Sequence, residues 1–183
     1  MDTLDRHEEV LERRGAVLRR GVGWWVKHGA IGGLIAGIIF AMFEMIVAAV
    51  MMGPDAFFMP LRMIGAMALG QEALEPSYPL LTAAVAGIVV HMLLSILYGA
   101  IFAAIVGAIP AFASSGFMLL VATSTFGLAL WVINFYLIAP VAGWNWFPTQ
   151  TNPIVQFFAH TFFYGTALGL YLIWARDRAG EEA

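Results

Sequence analysis

The chain has 183 residues, of which 61% are hydrophobic and 11% charged, where soluble domains run at roughly 45 to 50% and about 25%. Its charges gather at the ends: 11 of 21 lie in residues 1–27 and 5 in residues 176–183, leaving Glu44, Asp55, Arg62, Glu72 and Glu75 for everything between. An ordinary soluble domain is excluded, and with no cysteine so are disulfides, thiolate-held iron–sulfur clusters, c-type haem attachment and thiol catalysis. A net charge of -3 supplies no basic field, so the expected partner is the lipid bilayer and not nucleic acid.

Residues 1–28 read as a cytoplasmic amphipathic segment. Asp2 is placed to cap a helix from Thr3 to Arg20 on which Leu4, Leu11 and Leu18 recur every seven residues beside Val10 and Val17. Such a stripe suits a helix lying on the inner leaflet with its arginines toward lipid phosphates, or one that docks a partner or a second copy of the chain. No cleavable signal is expected, because the first apolar run begins only after residue 27 and is longer than a signal core.

A membrane-crossing helix needs about 20 mainly apolar residues, and four segments qualify: Gly29 to Met52, Pro79 to Val106, Phe117 to Ala139 and Pro153 to Trp174. Gly53-Pro54, Pro76 with Pro79, Pro110 with Ser114-Ser115-Gly116, and Pro140, Pro148 and Pro153 punctuate them. The expected fold is therefore all-α: a four-transmembrane-helix bundle over residues 29–175, with a short tail at 176–183. Between the first two spans, Phe57 to Leu69 is apolar but too short to cross, with Pro60 suited to a helix start, and reads as an interfacial helix on the outer side.

Four spans put both termini on one side, and that side carries Arg6, Arg13, Arg14, Arg19, Arg20, Lys27, Arg176 and Arg178, with Arg62 alone opposite. The positive-inside rule then makes both termini cytoplasmic. Trp24, Trp25 and Trp174 would mark the inner headgroup level, and Trp144, Trp146 and Phe147 the outer one.

In the first span Gly29, Gly33, Gly37 and Ala41 recur every four residues, a ridge on which another helix can approach closely. Glu44 lies about two turns beyond Gly37 on the same face, so it faces protein. The other spans present polar stripes of their own: Ala84, Gly87, His91, Ser95 and Tyr98 on the second; Gly127, Trp131 and Asn134 on the third; Gln156, His160, Tyr164 and Ala167 on the fourth. At about 1.5 Å per residue, Glu44, Asn134 and His160 lie roughly 8 to 12 Å inside the outer boundary and His91 a turn or two deeper. The expected intramembrane polar cluster is Glu44, His91, Ser95, Asn134, Gln156, His160 and Tyr164. Matching spacings (Gly37 to Glu44 and Gly127 to Asn134, His91 with Tyr98-Gly99 and His160 with Tyr164-Gly165) suggest two related hairpins about an axis normal to the membrane.

Pro60-Leu61-Arg62-Met63-Ile64-Gly65-Ala66, then Gly87 with His91, Ser95 and Tyr98-Gly99, then His160 with Tyr164-Gly165, resemble a family of uncharacterised four-span bacterial membrane proteins. The resemblance covers Gly29 to Trp174 and implies a bacterial inner membrane. It brings no activity, substrate or cofactor.

Two functions compete. One is a structural or accessory membrane protein, alone, as a homo-oligomer or in a larger complex, whose polar residues act as interhelical glue at about 0.6 kcal/mol per hydrogen bond. The other is an intramembrane site on Glu44, His91 and His160, because a carboxyl group in hydrocarbon is costly where neutral glue would serve. That site would carry a proton or ion, hold a transition metal through two histidines and a carboxylate, or clamp a haem between the second and fourth spans. A metal needs its donors within about 2.0 to 2.2 Å, which requires His91 to sit a turn higher than its position suggests. A lipid-modifying enzyme acting through Arg62, Glu72 and Glu75 comes last, since no HExxH, GxSxG or Walker pattern occurs.

Overall fold

The structure, a computed structural model, describes residues 20–181. The amphipathic helix expected over residues 3–20, with Leu4, Leu11 and Leu18, therefore lies outside the described residues. Within them every regular element is helical. Helix α1 spans Val22–Met52, α2 Met59–Leu69, α3 Leu80–Ala108, α4 Gly116–Ala142, α5 Trp146–Gln150 and α6 Pro153–Glu181. Four of these, α1, α3, α4 and α6, are long and apolar enough to cross a membrane, and they form the expected all-α, multi-pass bundle.

Local chemistry sets the ends. Gly53 stops α1 and Gly70 stops α2 at φ 100° and 94°, backbone angles that side-chain-bearing residues rarely adopt. Ser115 caps α4 by accepting from the Met118 amide at 3.0 Å. Asn152 caps α6 through the Ile154 amide at 2.9 Å, with Pro153 in the first turn where its missing N–H costs nothing. Two helices outrun expectation: α1 begins at Val22 rather than Gly29, and α6 continues past Trp174 to Glu181. Both extensions are held. Trp25 is 2% exposed, packed beside Gly107 of α3, and Arg176 donates to the Ala113 carbonyl in the α3–α4 turn at 3.2 Å.

Trp25 is thus a core residue, its ring turned toward protein. Trp146 is likewise buried, its indole N–H donating to the Met63 carbonyl of α2 at 3.1 Å, while Trp174 stays exposed. The outward faces of the spans are apolar, with Leu93 62% and Val141 85% exposed, whereas Glu44, His91, Ser95, Thr123, Gln156, His160 and Thr161 are buried. Polar inside and apolar outside is what a lipid solvent requires.

The bundle is two hairpins, α1 with α3 and α4 with α6, joined through contacts of α6 with α1. Both cross at glycines. A methyl group built on Gly29 or Gly33 would overlap the backbone carbonyl of Gly99 or Ser95, and one on Gly127 would overlap that of His160. Gly99 in turn lies against the backbone of Gly29 and Gly33, as Gly165 does against Thr123 and Ser124. The hairpins therefore match in kind, but Gly33 corresponds to Gly127 and Gly29 to Thr123. That register differs by one turn from the one suggested by Gly37 and Gly127, and it removes the pairing of Glu44 with Asn134.

The second hairpin also contains π-helix, over Asn134–Ile138 in α4 and Ala159–Thr166 in α6. The latter realigns a stripe. Residues every four positions drift by about 40° per step on an α-helix, and the wider turn takes up that drift. Gln156, His160, Tyr164, Leu168 and Leu172 all face inward as a result, with Leu168 at 0% exposure in the place expected for Ala167.

If the glycine crossing sets the bundle, Gly33→Leu has no room and should lower thermal stability in detergent by several degrees or prevent folding. Ile39→Leu, on a face 41% exposed, should shift the melting temperature by no more than a degree or two. Equal stability of the two variants would contradict this packing.

Candidate functional site

Seven polar side chains singled out from the sequence, Glu44, His91, Ser95, Asn134, Gln156, His160 and Tyr164, line one cavity of about 290 Å³. All four long helices contribute. The cavity begins where the glycine contacts end: Gly37 lies against Ser95 and His91, and one turn further α1 presents Phe40, Ala41 and Glu44 to open space.

Glu44 accepts from the Gln156 side-chain amide at both oxygens, 3.0 and 3.1 Å. Among the described residues no Lys or Arg lines the cavity, so the carboxyl group has a neutral partner and no counter-charge. His160 hydrogen-bonds the Gln156 carbonyl through Nδ1 at 3.1 Å, and His91 the Gly37 carbonyl through Nε2 at 2.9 Å. A carbonyl only accepts, so these ring nitrogens carry the protons. In the neutral rings the opposite nitrogens, Nε2 of His160 and Nδ1 of His91, keep their lone pairs. Tyr98 donates to Asn134 Oδ1 at 3.0 Å, and Tyr164 to the Ser95 carbonyl at 2.7 Å.

The histidines and the glutamate share the cavity without converging on one point. The Phe40 ring packs against both imidazoles, 5.2 Å from His91 and 4.8 Å from His160 centroid to centroid, and Phe135 flanks His160 at 5.4 Å. Among the described residues no three His, Asp or Glu side chains are gathered as metal ligands would be. His91 is bonded to Gly37, two turns below Glu44, and cannot rise to meet it without losing that bond.

The roof of the cavity has no signature in the sequence. Helix α2 does not merely lie beside the bundle: it crosses α3 with Gly65 against the Ala83 carbonyl and Gly87 against that of Leu61. It thereby brings Leu61, Met63, Ile64 and Met67 to the cavity wall, where Trp144, Phe147 and Thr151 of the α4–α6 connection join them and leave the cavity partly open. Tyr98 belongs to the lining as well. Its place on the α3 stripe was the available signal, whereas nothing in the apolar sequence of α2 distinguishes a lid from a surface helix.

Arg62 is not free to meet a headgroup. It is buried, and its guanidinium donates to the carbonyls of Ala73 at 3.1 Å, Tyr78 at 3.3 Å, and Glu75. These bonds tie the 71–79 connection onto α2. Charged hydrogen bonds contribute roughly 1.5 to 3 kcal/mol each, so Arg62→Gln should cost on the order of 3 kcal/mol and expose that connection to protease. Unchanged cleavage and melting would refute the tether.

Fold and lining together define a multi-pass α-helical membrane protein with a mixed polar and aromatic cavity at the α2 end. No family model, curated protein or solved structure matches the chain.

Proposed function

We propose that this is a bacterial inner-membrane protein with both termini in the cytoplasm, and that its cavity is a proton-exchanging site near the outer side. Eight of nine Lys and Arg lie in sequence before the apolar core of the first span or after that of the last, and Arg62 alone between the first two, which supports the orientation. The four helices long and apolar enough to cross a membrane support the membrane.

The observation that carries the site is the common cavity: polar groups from all four spans line one space instead of forming scattered pairs. Interhelical bonds such as Tyr98 to Asn134 and Ser124 to Thr166 do act as glue, and the accessory reading rests on them. Glue does not account for Glu44. A carboxyl group with a single amide partner and no cation in its cavity is stable as the neutral acid, or as the anion only when a cation joins it. Reversible protonation is therefore the chemistry this position favours. The lone pairs of His160 and His91 are further proton acceptors in the same cavity.

Two experiments test this. Reporter fusions at Ala183 and in the 143–152 connection should report opposite sides of the membrane, and cytoplasmic activity from the connection would overturn the orientation. Infrared difference spectra across a pH titration should contain a carboxylic acid band that disappears in Glu44→Gln with helix content retained. A spectrum with no band dependent on Glu44 would return the cluster to the accessory reading.

A further inference from the structure

The cavity can take more than a proton. From its lining we infer that it binds a small organic monocation with an apolar body, Glu44 serving as the counter-charge. This inference deepens the proton-site reading and rests on it.

Charge comes first. The polar groups that face the space are rich in acceptors: the Glu44 carboxylate, the free lone pairs of His91 and His160, and the hydroxyl oxygens of Ser95, Tyr98 and Tyr164. Among the described residues no Lys or Arg lines it, and Arg62, the nearest candidate on α2, is turned to the carbonyls of residues 73–78. An anion entering here would lose its hydration for no charged donor. A cation would meet a full counter-charge.

The walls decide what kind of cation. A small inorganic ion needs several oxygen or nitrogen donors converging within about 2 to 2.6 Å, and among the described residues no three His, Asp or Glu side chains are gathered to supply them. The aromatic side chains of Phe40, Phe135, Trp144 and Phe147, with Leu94, Leu130, Ile138 and the aliphatic residues of α2, make up most of the rest of the lining. Aromatic faces attract organic ammonium groups through their negative quadrupole, and apolar walls with a few placed polar groups are the usual form of a small-molecule site. At about 30 Å³ per water-sized volume, a cavity of about 290 Å³ holds a molecule of roughly ten non-hydrogen atoms, the size of a benzyl-ammonium.

Binding then couples to the proton already assigned to Glu44. When the cation enters, the carboxyl O–H bond breaks, the proton leaves through cavity water to the outer solution, and the carboxylate pairs with the ammonium. Charge in the cavity stays balanced. The titratable groups facing Glu44 are His91 and Tyr98 from α3 and His160 and Tyr164 from α6, with neutral Asn134 and Gln156 beside them.

The test uses the full chain in detergent or nanodiscs and calorimetry with benzyltrimethylammonium, a permanent cation of the right size. Saturable binding is expected, weakened at least tenfold in Glu44→Gln, with no binding of 3-phenylpropanoate, an anion of similar size. The anion comparison is made on the unaltered protein and holds whether or not the variant folds. Equal binding of cation and anion, or equal binding by folded Glu44→Gln, would overturn the inference. Absence of cation binding while the Glu44 infrared band persists would overturn it and leave the proton site standing. Absence of both would remove the two together.

Discussion

Backbone-to-backbone contact at the glycine crossings is the constraint on which the rest of the molecule depends. In a bilayer, apolar side chains gain little by leaving lipid for protein, so helices associate through close van der Waals packing and interhelical hydrogen bonds. Gly29 and Gly33 against Ser95 and Gly99, and Gly127 against His160 and Gly165, bring each hairpin to a separation that a single methyl group would prevent. The third crossing, Gly65 and Gly87 between α2 and α3, does the same for the roof. These contacts fix where the helices touch and so where they do not: beyond Gly37 the side chains enlarge and the cavity opens.

What fills that opening follows from the cost of polar groups in hydrocarbon. Most of them are satisfied by neutral partners, as Tyr164 is by the Ser95 carbonyl and each histidine by a backbone carbonyl. Glu44 is the exception, because its amide partner Gln156 satisfies hydrogen bonding but not charge. A bundle that needed only adhesion could replace Glu44 by glutamine. The proton and cation readings both grow from that one imbalance, set within acceptor-rich and aromatic walls.

Much of this is legible in the sequence because a membrane sharpens it. Lengths of apolar sequence locate the four spans, and an ionisable residue in hydrocarbon must face protein, so residue type and position alone turn Glu44, His91 and His160 inward. Spacing cannot reveal the π-helical turns, which leave no mark in apolar sequence and which move Leu168 into the position expected for Ala167. Nor can it reveal that Phe40 packs against both histidines, because a phenylalanine on a span reads equally as core or lipid-facing. Helix α2 is visible as a helix but not as a roof, since its fate turns on Gly65 meeting Gly87, two residues separated by a loop. Trp25 and Trp146 read as interfacial because tryptophan at a span end usually is; here a glycine of α3 and the Met63 carbonyl offer each a buried seat.

The central claim is that polar groups from four spans face one water-accessible space. A chain without cysteine allows this to be measured directly by the rate at which a charged, water-soluble thiol reagent labels single cysteines. Ala41→Cys lines the cavity, while Thr123→Cys sits fully buried between α4 and α6 away from it. The account predicts that Ala41→Cys reacts at least tenfold faster than Thr123→Cys in the folded protein. Equal, negligible labelling of both would mean that the polar residues meet in dry helix contacts and that the cavity does not admit water.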